Sequence, residues 1–163
     1  MRRYGWWAAV AVAALLCALA GRSYAGAAGD ATRALAEARD HALADGRGHL
    51  ARLRGLDAAH PAAARAQWLD ATTGDLHEQV RTAAPRKDAD PGASARATVT
   101  DAALTALDDR AGTARLIATV RVETTPADGG PAATDRERLE AGLVRTGDGW
   151  KVAALTAVPV AGA

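Results

Sequence analysis

The sequence predicts an α+β domain that follows an apolar N-terminal segment, and three features of the residue pattern support this fold class. An unbroken uncharged run extends from Tyr4 to Gly21, with arginines on both sides of it. Residues 30–84 carry apolar side chains at spacings of three, four, seven or eight, which indicates helices. Beyond Gly92 the apolar period falls to two, which indicates strands. About three helices followed by about four antiparallel strands make an α+β domain with helices on one face of the sheet.

The uncharged run from Tyr4 to Gly21 is long enough to cross a membrane once. Its 18 residues span roughly 27 Å as an α-helix, and the hydrocarbon core of a bilayer is about 30 Å thick. Arg2 and Arg3 before the run favour a cytoplasmic N-terminus. We therefore predict two regions: residues 1–29 form a short cytoplasmic tail, a membrane anchor and a linker, and residues 30–163 form an exported α+β domain.

A secretory signal peptide would begin in the same way, so the anchor has one alternative. The positive start, the apolar run and the small residues Ser23 and Ala25 also fit a cleaved signal, which would release a secreted protein. Both interpretations place residues 30–163 beyond the cytoplasmic membrane. The single cysteine, Cys17, lies inside the run, so the exported domain is predicted to contain no disulfide.

Three helices are predicted in the first half of the exported domain. The first covers Asp30–Leu56, and Gly46 and Gly48 inside it predict a kink or a break into two shorter helices. The second covers Pro61–Thr72, because proline is favoured at the first helical position. The third covers Asp75–Ala84 and is followed by a polar loop.

Four strands are predicted in the second half. Val99–Leu107 and the segment around Leu116 are joined by a turn at Asp108–Gly112, which makes a hairpin. A third strand follows the loop at Pro126–Pro131, and its Gly142 suggests a bulge. Gly147 to Gly149 then turns the chain into the last strand. The side chains predicted to face the helices are Leu116, Ala118, Val120, Val122, Leu139, Ala141, Leu143, Trp150, Val152 and Ala154.

The charge distribution excludes one class of partner. The chain has 20 basic and 19 acidic residues, and they are interspersed along the sequence rather than grouped. Such a pattern is not typical of a nucleic-acid-binding surface. The sequence also contains no phosphate-binding loop, nucleophile elbow or paired-cysteine metal motif, so we predict no cofactor.

Histidines and carboxylates at helical spacing are the candidates for chemistry. His41, Asp45 and His49 would lie along one face of a continuous helix, as metal ligands can, but Gly46 and Gly48 interrupt that helix, and a hydrated polar stripe explains the same residues. Asp75 and His77 are two residues apart and point in different directions on a helix, so Asp75 is interpreted as a helix cap.

The remaining candidates also receive structural interpretations. Trp68 and Trp150 are interpreted as core residues, and His60 lies in a linker before Pro61. An acid–base pair would need a carboxylate from another element, such as Asp101 or Glu140. No catalytic, cofactor-binding or metal-binding residue is therefore assigned.

Four features in this order resemble the Mce-associated membrane proteins of actinobacteria, which are small partners of the mammalian-cell-entry lipid importers. They are the single N-terminal span, the alanine-rich helix after it, and the segments Ala71–Leu76 and Leu143–Val152. The family has an alanine–threonine–glycine turn between two helices and a last hairpin that ends in tryptophan and valine. The chain departs from the family after Asp57, where Ala58 replaces the usual aromatic residue.

The resemblance implies a fold and a function. The fold is a nuclear-transport-factor-2-like cone, in which a curved sheet wraps around a long helix and can enclose a cavity. The function is that of a non-enzymatic accessory or scaffolding protein, anchored through residues 4–21, whose exported domain binds subunits of a lipid-import complex. Because some proteins of this fold are enzymes, the alternative is a small-ligand-binding or hydrolytic protein that uses a cavity under the sheet.

Overall fold

The computed structural model of this chain describes residues 3–83 and 92–159, with the side chains of 12–18, 30, 32–83 and 92–159. It divides into two compact units, Met1–Ala38 and Arg39–Ala163. In the described part of the chain there are three helices and four strands. They are α1 (Arg3–Arg54), α2 (Pro61–Ala71), α3 (Gly74–Thr82), β1 (Ser94–Asp108), β2 (Thr113–Thr125), β3 (Ala133–Thr146) and β4 (Gly149–Ala157).

The first unit contains the first part of α1. Of the predicted anchor, the structure describes the side chains of residues 12–18, where Val12, Leu15 and Leu16 are exposed. Farther along the helix, Arg33 lies 3.6 Å from the carboxylate of Asp30. Among the side chains that are described, no helix is both long enough and apolar enough to span a membrane.

Helix α1 is continuous, so the predicted break at Gly46 and Gly48 is wrong. Gly46 is instead a point of close approach between the helix and the sheet. A Cβ atom added there would lie 2.8 Å from Leu116 Cδ2 and 3.0 Å from Leu143 Cδ1. A Cβ added at Gly48 would meet nothing within 4 Å. The two glycines therefore differ: a side chain at Gly46 would displace the Leu116 and Leu143 methyl groups, whereas a side chain at Gly48 would meet open space.

The two short helices follow the predicted order with small shifts at their ends. Pro61 occupies the first turn of α2, as predicted. Helix α3 begins at Gly74, with Thr73 as its N-cap residue, so Asp75 lies in the first turn and is not the cap. The predicted end of this helix at Ala84 and the loop residues 85–91 lie outside the described residues.

The four strands form one antiparallel sheet in the order β1-β2-β3-β4. Strand β1 is longer than predicted, since it begins at Ser94 rather than Val99. Its register with β2 shifts twice, between Val99 and Asp101 and between Leu104 and Ala106. The residues left unpaired by these shifts are Thr100 and Thr105, and both contact β2 through their side chains. Thr100 Oγ1 donates to the Thr119 carbonyl at 3.2 Å, and Thr105 Oγ1 donates to the Arg115 carbonyl at 3.3 Å.

The face of the sheet that packs against the helices is the predicted one except at its last residue. Ala154 is exposed because the β3–β4 register shifts between Gly142 and Leu143, so Leu155 takes the inner position. The irregularity occurs at the predicted place in the sheet, but the extra residue is Ala153 of β4, which pairs with no β3 residue, and not Gly142 of β3. The buried core consists of Ala42, Leu50, Ala114, Leu116, Ala118, Val120, Val122, Leu139, Ala141, Leu143, Trp150 and Val152.

Backbone contacts tie the helical segments to both edge strands. Leu56 and Ala95 exchange two N–H to carbonyl hydrogen bonds of 2.8 Å at the start of β1. The Thr73 N–H donates to the Val152 carbonyl at 2.9 Å on the outer edge of β4. Each contact satisfies edge groups that would otherwise be free to pair with another chain.

Trp68 closes the C-terminal end of α1 rather than filling the core. Its indole Nε1 donates to the carbonyl oxygens of Arg52 at 2.9 Å and Gly55 at 3.2 Å. The last carbonyls of a helix lack partners within the helix, so this side chain supplies a partner that the helix cannot. The prediction that Trp68 is a core residue is therefore wrong, whereas Trp150, which is 2% exposed, confirms its prediction.

Replacing the two α1 glycines by alanine separates their roles. Gly48→Ala should raise the free energy of unfolding by about 0.5–1 kcal/mol, because alanine is the better helix former and space is open. Gly46→Ala should lower it, because overpacking a core typically costs about 1–3 kcal/mol. Chemical denaturation of both variants measures the difference. Equal stabilisation by both substitutions would contradict the close approach at Gly46.

Candidate functional site

Asp45 joins the middle of α1 to the beginning of β4. Its Oδ2 accepts a hydrogen bond of 3.0 Å from the backbone N–H of Trp150. The neighbouring Gly149 has φ +107°, and a Cβ there would lie 2.9 Å from the same carboxylate oxygen. The positive φ and the close oxygen both favour glycine at this position. The Asp45 carboxylate thus holds the helix against the sheet.

His49 lies one turn after Asp45 and is half-buried. Burial lowers the pKa of His49 from its ordinary value of 6.5, and this effect outweighs a backbone hydrogen bond with Trp150, which raises the pKa. Arg52 lowers the pKa further, while Asp45 and Asp70 raise it. The buried Nδ1 atom has no hydrogen-bond partner among the described residues. The imidazole is therefore held in a setting that favours its neutral form.

The predicted stripe of His41, Asp45 and His49 is not gathered into one site. His41 is exposed, and the carboxylate of Asp45 is occupied by the Trp150 N–H. In residues 3–83 and 92–159, no group of three or more His, Cys, Asp or Glu side chains is placed to hold a metal ion.

Trp150 is contacted from the other side by Arg145. The guanidinium carbon of Arg145 lies 5.3 Å from the centre of the indole ring, within the range of a cation–π contact. Arg145 also donates to Asp109 Oδ1 at 2.8 Å and to the backbone carbonyl of Asp109. This arrangement links the β1–β2 turn to the start of β4.

His77 stabilises the turn between α2 and α3. Its Nδ1 lies 3.0 Å from the Leu69 carbonyl oxygen and 3.4 Å from Thr72 Oγ1. The hydroxyl of Thr72, which is 3% exposed, donates to the Trp68 carbonyl at 2.9 Å. Asp75 contributes nothing to this group, in agreement with its predicted separation from His77.

One histidine does contact a carboxylate, but on the surface. His60 Nδ1 lies 3.0 Å from Asp57 Oδ2, and both side chains are exposed. The hydrogen bond with His60 lowers the pKa of Asp57. Asp101 and Glu140, the carboxylates that an acid–base pair would need, both lie on the sheet face opposite the helices, and Glu140 is 3.2 Å from Arg115.

Two open hollows lie outside the packed interior. The larger, about 600 Å³, lies where the end of α1 and the start of α2 meet the first residues of β1. Its polar lining includes Arg52, Asp57, Gln67, Arg96 and Glu123. The smaller, about 360 Å³, is a shallow depression on the outer face of the sheet beside Ile117 and Arg138.

No family model matches the sequence, and no curated protein is significantly similar to it. Solved structures do share its architecture. An IcmL-like type IV secretion system protein from Legionella pneumophila has a TM-score of 0.57 at 12% identity, over 77% of this chain and 95% of that one. CagV, a VirB8 homologue of the type IV secretion system from Helicobacter pylori, has a TM-score of 0.54 at 11% identity, over 69% of this chain and 92% of that one.

A periplasmic fragment of TraM gives a similar result, with a TM-score of 0.52 at 12% identity, over 72% of this chain and 94% of that one. Identities this low show the fold alone. The chain therefore has a nuclear-transport-factor-2-like α+β fold, as predicted, with its helices packed on one face of a four-stranded antiparallel sheet.

The depressed pKa of His49 predicts a loss of stability in acid. The unfolded chain binds a proton at His49 more readily than the folded chain does, so the free energy of unfolding should fall as the pH drops below about 6.5. His49→Gln should reduce this loss, and His41→Gln, at an exposed histidine on the same helix, should leave it unchanged. Denaturation between about pH 7.5 and 5 tests this. An identical pH dependence in the parent and His49→Gln would refute it.

Proposed function

We propose that this chain is a membrane-anchored, non-enzymatic scaffolding protein, whose α+β domain lies outside the cytoplasmic membrane and binds protein subunits of an envelope complex. The observation that carries the proposal is the filled interior of the domain. Ala42, Gly46 and Leu50 of α1 occupy the space against the inner face of the sheet, where a ligand of a hollow cone would bind. Because the inner face is filled, a partner of the domain would bind to its outer surfaces.

The structural neighbours support the scaffolding role. The IcmL-like protein and CagV belong to type IV secretion systems, and a third neighbour is a periplasmic fragment of TraM. The proposed anchor agrees with the exposed Val12, Leu15 and Leu16 in the N-terminal part of α1, since such side chains favour a hydrocarbon environment.

The partner complex proposed for this chain is a lipid importer of the mammalian-cell-entry type. The support is the resemblance of Ala71–Leu76 and Leu143–Val152 to Mce-associated membrane proteins. In the structure these two segments contact each other, because the Thr73 N–H donates to the Val152 carbonyl at 2.9 Å. The two segments that carry the resemblance are therefore neighbours in the folded domain.

A second candidate function is binding of a small ligand, and the specific observation in its favour is the groove of about 600 Å³. Its volume lies within the range of small-molecule sites. Ligand binding is less well supported than scaffolding because the groove is open to solvent and the neighbouring His60–Asp57 pair is exposed to bulk water.

Co-purification of the tagged full chain from its native membranes tests the proposal. The parent should be recovered from membranes at its full-length mass, with subunits of a lipid-import complex. Trp150→Ala is the matched control, because loss of this buried ring typically costs about 3–5 kcal/mol and should unfold the domain without removing the anchor.

The outcomes separate the parts of the proposal. No envelope subunits above the level of Trp150→Ala would refute the scaffolding role. Recovery of secretion-machine subunits alone would refute the lipid-import assignment. A mature chain that begins near Gly26 would refute the anchor and indicate a cleaved signal.

A further inference from the structure

The outer face of the sheet carries three adjacent arginines, which we name the arginine patch: Arg121, Arg136 and Arg138. Arg121 on β2 is directly opposite Arg136 on β3, and Arg138 is two residues farther along β3 on the same face. Like charges directly opposite each other on neighbouring strands destabilise a sheet. Nothing in the packing of the core requires this pair, since all three side chains face away from the helices.

The patch differs from Arg115 and Arg145, two other arginines of the sheet, in having no carboxylate partner. Arg115 lies 3.2 Å from Glu140, and Arg145 lies 2.8 Å from Asp109. For the three patch arginines, the described part of the chain provides no ion pair. The Nε atom of Arg121 is also buried from solvent with no hydrogen-bond partner among the described residues. An unsatisfied buried donor is unusual in folded proteins.

A depression of mixed polar and apolar lining adjoins the patch on the same face. The hollow of about 360 Å³ is lined by Ala103, Ile117 and Thr119, with Asp101 and Arg138 at its sides. Ile117 is half-buried although the other outward-facing residues of β2 are polar. Arginine beside an apolar centre is the composition that protein interfaces favour.

We propose that this face binds an acidic segment of a partner protein, with carboxylates on the arginine patch and an apolar side chain in the depression beside Ile117. The inference rests on the proposed scaffolding function and specifies the chemistry of its partner. Guanidinium groups recognise carboxylates through paired N–H donors, and the three patch arginines have no carboxylate partner among the described residues.

The charges around the patch favour a discrete protein segment over an anionic lipid surface. Glu123 lies two residues from Arg121 on the same face, and Asp101 lies across Thr119 from Arg138. These carboxylates would repel a continuous anionic surface, but they leave room for a segment whose acidic groups meet only the arginines. The net charge of +1 likewise provides little general attraction to a membrane.

A defined peptide tests the proposal. Alternate residues of a strand are about 7 Å apart. An extended, labelled peptide is therefore designed with glutamates at two alternate positions, to meet Arg136 and Arg138, and with leucine at the next alternate position, to meet Ile117. The full chain in a neutral detergent is titrated with this peptide at low ionic strength, and binding is read by fluorescence anisotropy. The control peptide has glutamine in place of both glutamates.

The variants separate charge from fold. Arg136→Gln combined with Arg138→Gln should weaken peptide binding at least about tenfold, which corresponds to the loss of one charged hydrogen bond. The same variant should melt at or above the parent temperature, because it removes like-charge repulsion. Arg47→Gln, at an exposed arginine of α1, should leave binding unchanged, and Ile117→Thr should weaken it without changing its salt dependence.

Three results would overturn the proposal. They are equal binding of the glutamate and glutamine peptides, undiminished binding by the Arg136→Gln/Arg138→Gln variant, and arginine-dependent flotation with phosphatidylglycerol vesicles in place of peptide binding. The last result would assign the patch to a lipid headgroup. If envelope subunits still co-purify with the variant while the peptide does not bind the parent, the scaffolding function stands and this inference fails. If no subunits co-purify with the parent, the function itself fails, whatever the peptide does.

Discussion

The close approach of α1 to the sheet is the constraint on which the rest of the domain depends. At Gly46 the helix backbone lies so near Leu116 and Leu143 that even a methyl group would collide with them. One residue earlier, the Asp45 carboxylate accepts a hydrogen bond from the backbone N–H of Trp150, the second residue of β4. The contact at Gly46 fixes the distance between the helix and the sheet, and the hydrogen bond of Asp45 fixes the position of the helix along the sheet.

This packing determines which surfaces are free for function. A nuclear-transport-factor-2-like sheet can enclose a cavity, but here Ala42, Leu50 and Trp150 fill the inner face. The half-buried histidines participate in the helix contacts: His77 lies against the Leu69 carbonyl, and His49 lies beside Trp150. Both histidines therefore contact backbone groups of neighbouring elements. The proposed scaffolding function places recognition at the groove near Asp57 and at the outer face of the sheet.

Local signals allowed much of the fold to be predicted from the sequence. Pro61 marks the start of α2, and strict alternation from Leu116 to Val122 gives both the strand and its buried face. The order of elements and the hairpin at Asp108–Gly112 follow from the same kind of signal. These features depend on residues that are near one another in the chain, which is why a pattern reveals them.

The failures of prediction have non-local causes. The sequence around Gly46 indicates a helix break, because it does not show that Leu116 and Leu143 of the sheet pack against this position. Trp68 has an apolar context in the sequence, but the carbonyls that its indole contacts belong to another helix. The arginine patch requires the register of β2 against β3, because only pairing shows that Arg121 and Arg136 are opposite each other. Alternation along one strand indicates the face on which a residue lies, but not which residue of the next strand is opposite it.

The hydrogen bond between Asp45 and Trp150 is the most direct test of the account, and chemical denaturation of substituted chains measures it. Asp45→Ala should lower the free energy of unfolding by about 1–3 kcal/mol, because the Trp150 N–H is left without an acceptor. Asp45→Asn retains an acceptor oxygen and should lose less. Asp40→Ala, at an exposed aspartate on the same helix, controls for the change in helix propensity. A stability of Asp45→Ala equal to that of Asp40→Ala would show that α1 is not held to the sheet through this carboxylate.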